Sequence, residues 1–189
     1  MKTVGDKLEA FTVAAAKPGF NHHEENGQSA FETITEASFP GKWKVIYFYP
    51  KDFTFVCPTE IVEFAKLTKQ FEERDAVLLG GSTDNEFSHL AWRNNHADLK
   101  TIKHPLLFFT PAMMQSLGIL HPEAGVALRA TIIVDPQGVV RYASANDLSV
   151  GRNADEIVRV LDALQTDELC PCNWKAGDET LTAKLKKAV

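Results

Sequence analysis

The chain has 189 residues and a mass of 21.0 kDa, enough for one well-buried core and too few for two full domains. Its 44% hydrophobic and 24% charged residues exclude disordered and fibrous classes. A formal net charge of -5 is the wrong sign for binding by phosphate neutralisation, which excludes nucleic acid as a partner.

From Met1 to Phe11 charged and apolar residues alternate, without the continuous apolar stretch of a secretion signal, and no apolar run approaches membrane-spanning length. An odd count of cysteines, Cys57, Cys170 and Cys172, with no export signal points to thiols used as reagents in a reducing cytoplasm. Residues 12–42 contain Lys17-Pro18-Gly19, His22 to Gly27 and Pro40-Gly41, which read as loops around one short element, so the ordered core is expected to begin after them. Trp43 to Tyr49, rich in β-branched and aromatic residues and stopped by Pro50, reads as a buried central strand. From Pro58 onward Ile61, Val62, Phe64, Ala65, Leu67 and Phe71 recur at helical spacing, with Glu60 and Glu63 early, where the helix dipole favours acids.

Ala76 to Ser82 reads as a second buried strand, and Glu86 to His96 as a helix with Phe87, Leu90 and Ala91 on one side. Thr131 to Asp135 and Val139 to Ala143 flank Pro136-Gln137-Gly138, a composition for an antiparallel hairpin, and Ala154 to Leu164 reads as a helix. The order implies an α/β protein whose mixed sheet carries helices on both faces. One domain over residues 1–166 is expected, with residues 167–189 as a tail that reaches another subunit.

The segment Pro50 to Glu60 joins the first buried strand to the first helix and places Cys57 in the first helical turn. Unsatisfied backbone N–H groups and the positive dipole end there favour a thiolate over a thiol, and the thiolate is the nucleophile. Pro58 suits a first turn, which can spare its missing donor. Thr54, three residues earlier, can bring its hydroxyl toward the sulfur or a bound oxygen substrate, while Pro50 shields the pocket from water. The competing reading is a cysteine that is only a small buried hydrophobe.

Pro50-x-x-x-Thr54-x-x-Cys57 resembles the active-site motif of the peroxiredoxins, and Asp52 to Glu60 resembles the two-cysteine alkyl hydroperoxide reductase branch of that family. The likeness runs through Trp92-Arg93, Arg129-Ala130-Thr131, Ile133 to Pro136, Val150 to Asn153 and Cys170-Pro171-Cys172-Asn173-Trp174. It implies a thioredoxin-like fold in which Cys57 attacks a peroxide oxygen and becomes a sulfenic acid. Thr54 and Arg129 would hold the peroxide, although from spacing alone Arg129 reads equally well as a solvated strand-edge residue. Glu60 is either a first-turn acid or a partner that orients an arginine such as Arg152.

The resemblance further places Cys170 as the resolving thiol, supplied by the partner chain of a homodimer, and aligns Cys172 with the extra cysteine of three-cysteine bacterial forms. It implies hydrogen peroxide and organic hydroperoxides as substrates. The expected reductant is thioredoxin, a flavoprotein reductase or a small dithiol adaptor, and the expected assembly is a ring, decamer or dodecamer. No cofactor is expected. Cys170-x-Cys172 with His22-His23 admits a metal reading, but neither pair has the usual two-residue ligand spacing. Thiol-disulfide exchange normally needs Cys-x-x-Cys, which Cys57 lacks, and binding of unfolded clients stands as a second activity. Trp43, Trp92 and Trp174 read as packing residues. Phe108 to Pro111 departs from the family pattern, and the absence of both a Gly-Gly-Leu-Gly insert and a terminal Tyr-Phe extension implies resistance to sulfinic inactivation.

Overall fold

The computed structural model describes residues 1–187, and a seven-stranded mixed sheet forms its centre. In chain order the strands of that sheet are β1 Thr12–Ala16, β4 Phe31–Thr35, β5 Trp43–Phe48, β6 Ala76–Ser82, β7 Leu106–Phe108, β8 Arg129–Val134 and β9 Val140–Asn146, and they lie side by side as β4-β1-β7-β6-β5-β8-β9. The pairs β5·β6 and β6·β7 are parallel, whereas β8 runs antiparallel to β5 and forms the expected hairpin with β9. Helices α1 Val56–Lys66 and α2 Thr68–Glu72 connect β5 to β6, and α3 Glu86–Asn95 connects β6 to β7. Parallel neighbours need crossovers of this kind. The fold is thioredoxin-like.

Residues 12–42 correct the expectation of loops around a single element. Two of their segments, β1 and β4, pair residue by residue from Thr12↔Thr35 to Ala16↔Phe31, and β1 continues the sheet by pairing with β7. Between them β2 Glu24–Glu25 and β3 Gln28–Ser29 form a small hairpin whose turn, Asn26-Gly27, has φ of 53° and 72°, the pairing favoured by a type I′ turn. The breaker residues mark turns between strands, and pairing overrides the poor strand propensity of Ala14-Ala15-Ala16.

The run from Pro58 to Phe71 is also two helices rather than one, since Leu67 ends α1 and begins α2. Helix α3 turns a different face inward from the one expected: His89, Leu90, Trp92 and Arg93 are buried, while Ala91 and Phe87 are exposed. Phe108 to Pro111 now has a structural account. Phe109 is buried against Phe11 and Phe48 at ring separations of 5.3 and 5.2 Å, and the Thr110 side chain accepts from Met113 N to cap α4 Pro111–Ser116.

The sheet is buried on both sides. On one face Ile46, Phe48, Leu79, Leu107 and Ile132 belong to a cluster with Phe109 and Met114. On the other, Tyr47 stacks on Phe64 of α1 with centroids 4.4 Å apart and planes 5° from parallel. A Cβ at Gly80 would stand 2.6 Å from Tyr47 Oη, so only glycine on β6 lets that phenol lie where it does.

Chain compactness divides at Arg152, giving a unit Met1–Arg152 and a smaller one beginning at Asn153. The smaller unit opens with α5 Ala154–Gln165, capped by Asn153, which accepts from Glu156 N at 3.3 Å. Arg159 then donates to Trp174 O at 2.8 Å, Trp174 Nε1 to Asp178 O at 2.9 Å, and Leu181 N to Leu169 O at 2.8 Å. Those bonds order the segment before α6 Leu181–Lys187, and Trp174 is buried as a packing residue. No helix among the described residues is long and apolar enough to cross a membrane.

Candidate active site

Helix α1 begins one residue before Cys57, and Phe55 at its N-cap supplies no side-chain hydrogen bond. The amides of that turn therefore keep their positive end toward the sulfur's surroundings. The Cys57 side chain is buried, at 1% exposure, which alone suits a core cysteine as well as a reagent. Arg129 decides between them: its Nη1 lies 3.6 Å from Cys57 Sγ. A guanidinium beside a buried sulfur stabilises negative charge there, a use that simple packing does not require.

Arg129 opens β8 and is itself only 4% exposed, so the reading as a solvated strand-edge residue is excluded. Its Nε donates to Leu148 O at 2.7 Å and its Nη1 to Glu60 Oε2 at 2.6 Å. Glu60, three residues after Cys57 and buried, holds a second arginine with both oxygens: Arg152 N and Nε donate to Oε1 at 2.9 and 2.8 Å, and Nη2 to Oε2 at 3.0 Å. Of the two readings open for Glu60, it bonds Arg152, and it bonds Arg129 as well, a contact that sequence alone leaves unseen across 69 residues.

Burial pushes the Glu60 carboxyl up, but hydrogen bonds from Arg152 and the charges of Arg152 and Arg129 outweigh it and hold the group below its ordinary value of 4.5. Arg152 spends its Nη1 on Ala130 O at 2.6 Å and Thr131 Oγ1 at 3.2 Å, and its guanidinium lies 5.6 and 5.5 Å from the Tyr47 and Phe64 ring centres. Two cations share one carboxylate here. The surplus positive charge faces the thiol.

Pro50 is buried at the end of β5, and the Thr54 hydroxyl donates to Lys51 O at 2.8 Å. With its proton committed there, Thr54 Oγ1 offers lone pairs to an incoming O–H. Sequence reasoning passes over the buried residues behind this loop, Asp52, Tyr49 and His89, which are linked by hydrogen bonds. Their only signal is polarity in a helix face and strand end that otherwise read as apolar.

Cys170 and Cys172 belong to the smaller unit. Cys170 Sγ is half-buried, 3.4 Å from Thr166 Oγ1 and 3.8 Å from Ala163 O at the end of α5, whereas Cys172 is exposed. All three cysteines are free thiols. Among the described residues no group of three or more His, Cys, Asp or Glu side chains is placed to hold a metal ion.

The AhpC/TSA family pattern matches residues 4–143. Alkyl hydroperoxide reductase C of Mycobacterium tuberculosis is 50% identical over 184 residues, covering 96% of this chain and 94% of its own. Thioredoxin peroxidase of Trypanosoma brucei rhodesiense is 44% identical over 174 residues, 88% of this chain and 87% of its own. The solved structure of Mycobacterium tuberculosis AhpC, 49% identical, superposes with a TM-score of 0.82 over 92% of this chain and 98% of that one. The reduced 2-Cys peroxiredoxin of Plasmodium vivax, 34% identical, gives 0.84 over 95% and 92%.

Proposed function

The chain belongs to the AhpC/TSA family and is a peroxiredoxin, a thiol-dependent peroxidase, and on that premise we propose that Cys57 is the sulfur that attacks the peroxide. The observation that carries the assignment is Arg129 Nη1 at 3.6 Å from Cys57 Sγ, at a helix N-terminus that no side chain caps.

The Cys57 thiolate attacks the terminal oxygen of hydrogen peroxide or an organic hydroperoxide. As the S–O bond forms the O–O bond breaks, sulfur is oxidised to a sulfenic acid, and the departing oxygen takes a proton to leave as water or alcohol. Arg129 stabilises charge on the thiolate and then on the leaving oxygen, and Glu60 and Arg152 hold Arg129 in place. Thr54 accepts the peroxide's O–H, and Pro50 walls the pocket.

Cys170 then displaces water from the sulfenic acid, forming a Cys57–Cys170 disulfide across a homodimer, which an external dithiol reduces. For this step Cys170 must leave its place beside Ala163 and Thr166. Cys172 is an auxiliary thiol. The division of labour is a peroxidase domain over residues 1–166 and a tail, residues 167–189, that carries Cys170 to the partner. The assembly is a ring of such dimers in the cytoplasm, reduced by thioredoxin, a flavoprotein reductase or a small dithiol adaptor.

The test is peroxide consumption by purified protein with dithiothreitol as reductant. Wild type is expected to turn over and Cys57→Ser to be inactive. Equal consumption by the two proteins would refute the assignment, and no consumption by either would favour a binder of unfolded clients.

A further inference from the structure

The loop that delivers Cys57 is held from behind by a buried polar couple that the chemistry above does not use. Asp52, with a side chain 1% exposed, accepts from three donors: Tyr49 Oη at 3.0 Å, Ser88 Oγ at 2.9 Å and His89 Nδ1 at 2.8 Å. His89 is fully buried, and its Nε2 lies 3.2 Å from Leu107 O. Nε2 faces a carbonyl, which only accepts, and Nδ1 and the carboxylate share a short hydrogen bond, so the couple is bonded on both sides inside the protein. The main chain is gripped as well: Asp52 N donates to Asp84 Oδ2 at 2.9 Å, and the same oxygen receives Ser82 Oγ at 2.7 Å. Tyr49 just after β5, Asp84 just after β6 and the first turns of α3 thus converge on one loop position.

The next residue shows what that grip does. Phe53 has φ of +55°, in the left-handed region, a strained conformation for a residue with a Cβ. Phe53 is 59% exposed, with its ring 6.0 Å from that of Trp92, so its own burial is a weak source of the conformation. The restraint comes from Asp52, immediately before it. After Phe53 come Thr54, whose hydroxyl closes the turn on Lys51 O, and Phe55, which is almost wholly exposed and caps nothing. Asp52 is therefore the last firmly anchored residue before Thr54 and the helix mouth.

We infer that the Asp52–His89 couple, with Tyr49 and Ser88, is a positioning device that sets Thr54 and the first turn of α1 for attack on peroxide. The inference rests on the peroxidase reading of Cys57 and adds residues to it. Buried polar networks are weak stabilisers against apolar replacements, so a fully bonded one at this place is better explained by the geometry it imposes. Peroxide attack needs sulfur and both oxygens in line beside Thr54, whereas alkylation of the same sulfur needs only a thiolate and access.

That difference supplies the test. Oxidation of Cys57 by hydrogen peroxide and its alkylation by iodoacetamide are to be timed in wild type, Asp52→Asn, Ser88→Ala and Tyr49→Phe. Asp52→Asn keeps the shape of the side chain, and the other two each remove one donor. For Asp52→Asn we expect oxidation to slow about tenfold or more while alkylation changes less than about twofold, with smaller losses of the same kind in the other two. Should Asp52→Asn fail to fold, the Ser88 and Tyr49 variants decide alone. Parallel loss of both rates, or unchanged oxidation, overturns the inference. Wild-type protein that oxidised no faster than it alkylated would instead overturn the peroxidase reading beneath it.

Discussion

Glu60 is a carboxylate enclosed by two guanidinium groups and nearly shut off from water, at 4% exposure. Its value to the fold lies in what its absence would leave, two buried arginines with one compensating charge fewer. Glu60→Gln is expected to lower the unfolding free energy by about 3 kcal/mol or more, measured by urea denaturation, because breaking a buried pair costs far more than the pair contributes over an apolar substitute. The sign of its pH dependence follows from its lowered folded value. Glu60 contributes fully above its ordinary value of 4.5 and loses that contribution as pH falls below 4.5 through the depressed folded value. The acid limb of the stability curve should flatten in Glu60→Gln, and an unchanged limb would contradict this. At this scale the candidates Cys57, Thr54, Glu60, Arg129 and Arg152 are nameable from the sequence, Arg129 only through the family resemblance. The bond from Glu60 to Arg129 is not, because it depends on β5 and β8 being sheet neighbours.

At the scale of elements, the loop before β7 places His104 inside the molecule, with its Nε2 2.6 Å from the Tyr47 hydroxyl. Burial, aided by the charge of Arg93, lowers its pKa to about 3 from an ordinary 6.5. The unfolded chain binds a proton here that the folded chain refuses, so stability should fall by about 1.4 kcal/mol per pH unit as pH drops from 6.5 toward the folded value. Denaturation midpoints between pH 6.5 and 4.5 should show this slope in wild type and less of it in His104→Leu; equal slopes would refute it.

The same scale shows why some elements were readable and others were not. β5 and β6 are apolar on both faces and declare themselves, as does the hairpin turn at Pro136-Gln137-Gly138. β1 hides because its three alanines carry little strand preference, and β7, three residues long, gives no period to detect. Helix α3 misleads for a chemical reason: its inward face holds His89 and Arg93, polar residues paired inside, while Phe87 faces out.

For the whole molecule, sequence patterning conveyed the mixed sheet and the helices that join its strands, and the comparisons place the chain among the peroxiredoxins. The proposed catalytic cycle joins two thiols in different settings. Cys57 lies at an uncapped helix N-terminus beside a cation, and Cys170 lies beside a helix C-terminus, where the Ala163 carbonyl receives its S–H. The first setting favours attack by sulfur. The second ties Cys170 to the end of α5. A cycle built on that contrast must leave a definite covalent record. The decisive measurement is peptide mass mapping, under nonreducing conditions, of reduced protein given an equimolar amount of hydrogen peroxide. The expected product is Cys57 linked to Cys170 of a second chain; peroxide consumed while Cys57 is recovered as an unmodified thiol would contradict the account.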